Sequence, residues 1–133
     1  MIVVDTNVIA YLFIRGERTE QAKSILKKDS EWIAPILWRT EFRNILGFYL
    51  RQNLLSLHQA NQIMQEAETL MQNGEYRIPS SEVLGLIKES GCSAYDCEYV
   101  TLAREMDVPL VTTDRKLIEL FSEFAVSMDE FIR

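Results

Sequence analysis

Hydrophobic and polar positions follow two rhythms along this chain, and each change of rhythm marks an element. Ile2, Val3 and Val4 form a short β-branched run that stops at Asp5, which predicts a buried strand over Met1–Val4. A helical turn is expected next. Thr19 is placed to cap a helix with Ala22, Ile25 and Leu26 on its inner face. Trp32–Ala34 reads as a second brief strand, ended by Pro35. Phe42, Ile45, Leu46, Tyr49 and Leu50 then recur at the spacing of one buried helical stripe. Ser56 and Gln59 form a capping-box pattern, opening a helix with Leu57, Ala60, Ile63, Met64, Ala67, Leu70 and Met71 inward.

The same reading continues to the end of the chain. Tyr76–Pro79 is a third candidate strand, and Ser81–Ser90 a helix ended by Gly91. Ser93 starts another helix, with Tyr95, Tyr99, Leu102, Ala103 and Met106 inward. Pro109–Thr112 is a strand, a short helix through Leu117 and Leu120 follows, and a last strand falls near Phe124–Ser127. Strands alternating with helices predict an α/β fold, a mostly parallel sheet covered by helices on both faces. The few Gly and Pro are scattered and mark no linker, so residues 1–133 read as one domain. Sites in such sheets lie beyond the carboxyl ends of the strands.

Composition removes several classes. The longest apolar run, Val8 to Ile14, has seven residues, where a membrane span needs roughly 20. The opening Met-Ile-Val-Val-Asp lacks the basic start of a secretory signal. Two cysteines, Cys92 and Cys97, are too few for a disulfide scaffold and fit a reduced, cytoplasmic setting. With His58 as the one histidine, neither a zinc site nor a histidine-pair ribonuclease is expected, and His58 falls on the polar side of its helix. Fourteen Lys and Arg against twenty Asp and Glu give a net charge of −6, which on its face opposes binding to a polyanion.

Four of those acids stand in telling places. Asp5 and Asp114 each follow a strand, at the rim where such folds place their chemistry; aspartate there also caps the next helix. Glu41 borders the apolar stripe of the long helix, so it is partly buried and needs a partner, or else pairs with Arg39 or Arg43 on a wet flank. Asp96 completes a capping box with Ser93, yet is in phase with Tyr99, Val100 and Ala103. An oxygen-only acidic cluster suits Mg²⁺ or Mn²⁺. Without a cation the carboxylates repel one another. Two divalent ions would cancel four of the six excess negative charges. Arg39, Arg43, Arg115 and Lys116 are then candidate phosphate contacts, or ordinary solvated surface.

The blocks Asp5–Val8 (Asp-Thr-Asn-Val), Thr40–Asn44 (Thr-Glu-Phe-Arg-Asn), Ser93–Ala103 and Leu110–Leu117 resemble the four acidic blocks of PIN-domain ribonucleases. The likeness is to the VapC-type toxins of toxin–antitoxin pairs and runs from Ile2 to Phe131. It implies a PIN-like three-layer sandwich with a five-stranded sheet. It also implies one or two Mg²⁺ or Mn²⁺ ions held by Asp5, Glu41, Asp96 and Asp114, with Asn7 and Thr112 orienting carboxylates. Some PIN domains carry a further acid two positions after the last Asp. Here that position is Lys116, and Glu98 is a nearby substitute expected to face solvent.

The activity implied is metal-assisted endonucleolytic hydrolysis of RNA, leaving 5′-phosphate and 3′-hydroxyl ends. The partners implied are the RNA, a VapB-like antitoxin covering the active-site groove, and a second copy in a homodimer. Trp38, Phe48, Tyr49 and Phe13 serve either the core or such an interface. Rival readings are an RNA-processing PIN nuclease without antitoxin, a non-catalytic PIN binding module, and a phosphoacceptor domain. The last needs a lysine after its final strand, where this chain has Met128-Asp129-Glu130. A nucleotide-binding enzyme lacks its glycine-rich signature here.

Overall fold

A computed structural model describes residues 1–133. Its five strands are β1 (Ile2–Val4), β2 (Trp32–Pro35), β3 (Glu75–Tyr76), β4 (Leu110–Val111) and β5 (Ala125–Val126). They form one all-parallel sheet in the order β3-β2-β1-β4-β5. The central strand is the most apolar: Val3 pairs with Ile33 on one side and Leu110 on the other, and Val4 with Val111. Buried on both faces, β1 can be a continuous hydrophobic run rather than an alternating one.

Eight helices surround the sheet: α1 (Thr6–Phe13), α2 (Thr19–Lys28), α3 (Trp38–Arg51), α4 (Leu57–Met71), α5 (Ser80–Ser90), α6 (Ala94–Met106), α7 (Arg115–Leu120) and α8 (Met128–Ile132). One connected group contains α1, α2, α3, α4 and α8, with α4 against β2. Helices α5 and α6 pack on each other, and α6 on β1, β2 and β4. Right-handed crossovers account for the division: the chain steps from β1 out to β3 over one face and returns to β4 and β5 over the other. Trp38, Phe42 and Leu46 of α3 are buried, with the Trp38 and Phe42 rings edge-to-face at 5.8 Å.

Helix ends follow local chemistry. Ser56 and Gln59 form the reciprocal capping box, and Gly91 ends α5 in the left-handed region at φ 74°. Gly74 is required by close approach: a Cβ there would lie 2.2 Å from the Trp32 carbonyl oxygen, beside the bond from Ala34 N–H to the Gly74 carbonyl.

Several local expectations are corrected. Thr19 does not cap α2; its hydroxyl accepts from Gly16 N–H and donates to the Ile14 carbonyl, tying the loop between α1 and α2. Leu57 and Tyr95 are 66% and 64% exposed, because each lies in the first turn of its helix, past the layer beneath. Leu120 is exposed at the end of the short α7, where Leu117 takes the inward position. Strand β3 starts one residue earlier than expected and holds two residues. Helix α8 was not anticipated; Ser127 caps it through Glu130 N–H. Of the aromatics, Trp38 is core, Phe13 and Tyr49 are half-buried, and Phe48 is 51% exposed. Both cysteines are buried and free. No helix is long and apolar enough to cross a membrane.

Candidate active site

Strand order places the crevice. The connection leaves β1 toward β2 and later returns to β4 on the opposite side, so the carboxyl ends of β1 and β4 flank a topological switch point. Asp5 follows β1, and Asp114 lies three residues past β4. The Asp5 N–H donates to the Val111 carbonyl at 3.1 Å, which continues the ladder to the rim. Glu41 enters from the first turn of α3 and Asp96 from the first turn of α6. All four acids line one open cavity of about 290 Å³, together with Thr6, Asn7, Asn44, Ile45, Tyr99, Thr112 and Leu117.

Three of the four acids are fixed by hydrogen bonds, two as helix caps and one by side-chain hydroxyls. Asp5 caps α1: Oδ1 accepts from Val8 N–H at 3.1 Å, and Oδ2 accepts from the Thr112 hydroxyl and from Thr113 N–H. Asp114 caps α7, its Oδ1 accepting from Lys116 and Leu117 N–H at 2.9 and 3.3 Å. The capping role and the place in the cavity therefore coincide at both aspartates. Glu41 pairs with neither Arg39 nor Arg43. Its Oε1 accepts from the Thr6 hydroxyl at 2.8 Å and from the Tyr99 phenol at 2.7 Å, and those two oxygens are themselves 2.6 Å apart. Thr6 and Tyr99 are buried. This triangle joins α1, α3 and α6, so the two helical layers meet at the rim.

Thr112 is fully buried, and its hydroxyl also accepts from Asp114 N–H at 3.1 Å. One side chain thus links two of the four acids. Asn7 is corrected: its amide donates to the Thr113 hydroxyl at 3.4 Å and to no carboxylate. Glu98 is corrected too. It is half-buried, and burial followed by the charge of Glu41 raises its carboxyl above the ordinary range.

The electrostatics are those of uncompensated negative charge. Burial raises the Asp5 carboxyl, the Thr112 and backbone hydrogen bonds oppose it, and Glu41 adds to the rise. Burial and then the charge of Asp114 raise Asp96, with Ser93 and Lys116 opposing. Burial and the Glu41 charge push the Tyr99 phenol far up, so it stays a donor.

No three carboxylates converge into a ready-made ligand cage. The donor set nonetheless suits a hard cation: it is all oxygen, and neither Glu41 Oε2 nor Asp114 Oδ2 accepts a hydrogen bond from the protein.

The basic candidates divide. Arg39 is committed elsewhere: its guanidinium bonds both oxygens of Glu75 and pairs with Glu68 at the β3 edge, where Trp38 also donates to Glu75 at 2.8 Å. Arg43 is exposed on α3. Lys116 is close enough to lower Asp96, and Arg115 lines a small cleft that shares Thr112 with the acidic cavity. Thr6, Tyr99 and Asn44 are cavity residues that sequence reading did not assign. Two signals existed: Tyr99 and Asn44 each lie three residues after a singled-out acid on the same helix, hence on its face.

A five-stranded parallel sheet with acids at the switch point is the architecture of a PIN domain. The PIN domain family profile matches residues 2–122, and the chain belongs to that family. It is 30% identical over 123 residues to Ribonuclease VapC3 of Pyrobaculum aerophilum, covering 90% of this chain and 94% of that protein. The fold is similar to that of PAE2754, also from Pyrobaculum aerophilum, with a TM-score of 0.78 and 20% identity over 98% of this chain and 85% of that one. It is also similar to FitAcB from Neisseria gonorrhoeae, at TM-score 0.70 and 18% identity over 96% of both chains. A toxin–antitoxin complex from Klebsiella pneumoniae matches at TM-score 0.70 and 16% identity, over 96% of this chain and 98% of that one.

Proposed function

We propose that this chain is a divalent-metal-dependent endoribonuclease and the toxin of a VapBC-type toxin–antitoxin pair. The observation that carries the reading is the meeting of Asp5, Glu41, Asp96 and Asp114, from four separate stretches of chain, in one cleft at the sheet's switch point. The likeness to Ribonuclease VapC3 supports the choice of RNA as substrate.

The four acids would hold Mg²⁺ or Mn²⁺, as one or two ions. Such an ion, when bound, supplies Lewis acidity to water and to the phosphoryl oxygens at neutral pH. The chain's own part is to hold the carboxylates. Asp5 is fixed by three hydrogen bonds and Asp114 by two, so neither turns freely. Glu41 keeps Oε2 for the cleft because Thr6 and Tyr99 both occupy Oε1. That free oxygen would serve as a metal ligand, or would take a proton from an attacking water. Arg115 and Lys116 stand at the margin for phosphate contacts, and Arg43 is a further candidate on α3. Hydrolysis by this route leaves a 5′-phosphate and a 3′-hydroxyl and needs no ribose 2′-hydroxyl.

An antitoxin partner is supported by the fold likeness to FitAcB and to the Klebsiella complex. Exposed Phe48, Leu54 and Leu57, around the turn from α3 to α4, offer apolar surface for the antitoxin or a second copy. The cytoplasm, where the RNA is, is the proposed location.

The deciding experiment incubates total cellular RNA with the protein in Mg²⁺, in Mn²⁺ and in chelator, beside Asp5→Ala. The expected result is cleavage with metal and none in chelator or with the variant. A cyclic phosphate at the new ends would falsify the proposed route.

A further inference from the structure

Next to the acidic cavity lies a second cleft of about 400 Å³ with the opposite charge. The two adjoin, since Asn7 and Ile45 line both. Its walls carry Tyr11, Arg15, Arg18 and Tyr49, with one acid, Glu17. Neither arginine is within ion-pairing distance of a carboxylate. In a chain with six more acids than bases, two free arginines facing one cleft are an unspent positive charge. The Arg18 guanidinium lies over the Tyr11 ring at 5.6 Å and is steadied by a 3.8 Å contact to the Met128 sulfur. Arg18 also borders the smaller cleft lined by Arg115 and Thr112. Basic side chains therefore line the flank of the acidic cavity, from Arg15 through Arg18 to Arg115, with Glu17 and Asp129 as the two acids among them.

We infer that this cleft is a nucleotide subsite that seats the residue of a single-stranded RNA adjoining the phosphate in the acidic cavity. This rests on the ribonuclease reading of that cavity. A polyanionic strand cannot stay among four carboxylates on either side of its reacting phosphate, so the flanking phosphate must leave toward positive charge. Arg15 and Arg18 supply it one cleft away. The volume lies in the range of small-ligand clefts, roughly 300–1,000 Å³. Half-buried Tyr49 gives the base a stacking surface, while Tyr11 is already covered by the Arg18 guanidinium. A base reaches Tyr49 only when unstacked from its neighbours, which selects single strands over duplex. An antitoxin segment is the competing occupant: Ala10, Ile14 and Ile45 give the cleft an apolar lining that suits either, and the two arginines without a carboxylate partner favour the polyanion.

The test uses Arg15→Ala and the Arg15→Ala/Arg18→Ala double variant, each with thermal melting as a fold control. Cleavage of a mixed-sequence single-stranded oligoribonucleotide should show KM raised about tenfold in the double variant, as for loss of charge-assisted contacts. Its kcat should stay within about twofold, because these residues do not touch the acids. Fluorescence anisotropy, in an Asp5→Asn background that does not cleave, should show the slope of log Kd against log salt shallower by about 1.4, for two phosphate contacts on a single strand. Arg15 is exposed and without a partner, so Arg15→Ala keeps its fold and should show half that change. An unchanged KM and slope in a wild type that cleaves RNA overturns the subsite and leaves the nuclease reading standing. No cleavage by the wild type, with the slope still reduced in the variants, sinks the nuclease reading alone. Variants that escape neutralisation by the cognate antitoxin at unchanged KM assign the cleft to protein and overturn the proposal.

Discussion

The phenol of Tyr99 donates a 2.7 Å hydrogen bond to Glu41 Oε1, across the rim where α6 meets α3. The same oxygen takes the Thr6 hydroxyl, so one face of the carboxylate is fixed and the other is left to the cleft. Tyr99 is a positioning residue. Its removal should loosen Glu41 without emptying the core, since the ring is kept in Tyr99→Phe. By analogy with groups that orient metal-binding carboxylates, Tyr99→Phe should lower Mn²⁺ affinity and activity by about tenfold to a hundredfold. Isothermal titration with Mn²⁺ reads the affinity separately from turnover. An affinity equal to wild type would show that Glu41 holds its place without the phenol, on the Thr6 hydroxyl alone.

Thr112 supports two acids from one hydroxyl, donating to Asp5 and accepting from Asp114 N–H. Thr112→Val keeps the shape, leaves Asp114 N–H without its acceptor and removes one of the two donors to Asp5 Oδ2, at a fully buried position. The expected cost is about 1–3 kcal/mol, read as a lower melting temperature in chelator. Thr112→Ser retains the hydroxyl and should recover most of it. If valine and serine melt alike, the hydroxyl contributes nothing and the site is held by the backbone alone.

Much of this site could be read in the sequence because its acids sit at local landmarks. Asp5 ends a β-branched run, Asp114 follows a strand, and Ser93 and Asp96 mark a helix start. What could not be read is what holds them. Thr6 and Tyr99 are 93 residues apart, and a tyrosine in phase with a core stripe looks like packing until α6 is set against α3. Arg39 looked free because its partners, Glu68 and Glu75, come 29 and 36 residues later, beyond any helical spacing. Helix α8 has a local signal too: Ser127 and Glu130 have the spacing of a cap before Phe131 and Ile132. Local signals set the elements; the hydrogen-bonded supports are products of the sheet order.

Capping and metal holding can be separated at Asp114. Asp114→Asn keeps an oxygen for Lys116 and Leu117 N–H, so α7 should stay capped while the charge is lost. Asp114→Ala loses both, and should cost about 1 kcal/mol more. Cleavage should vanish in both variants, whereas melting should fall in the alanine variant alone. Cleavage retained by Asp114→Asn would leave this residue a helix cap and no more.

The acid cluster should make the metal-free protein less stable as pH rises. In the folded chain, burial and then the charge of Asp114 raise the Asp96 carboxyl above its ordinary value of 3.8. Burial raises Asp5 in the same direction. The folded state therefore keeps these protons at pH values where the unfolded chain has released them. Their contribution to stability is fully present below the unfolded value and is lost as pH climbs through the raised native one, so at neutral pH the charged carboxylates oppose folding. Asp96→Asn removes one of them. In chelator at pH 7 it should melt above wild type, by no more than about 4 °C because solvent screens a half-exposed group. At pH 4 the two should converge. Mg²⁺ should reverse the order, since the ion stabilises the folded form that binds it and the variant has lost a ligand. Scanning calorimetry at both pH values, with chelator and with Mg²⁺, reads all four states. A wild type that outlasts Asp96→Asn at pH 7 in chelator would mean that the carboxylate is already neutralised by the protein, and that no cation is needed to hold the cleft together.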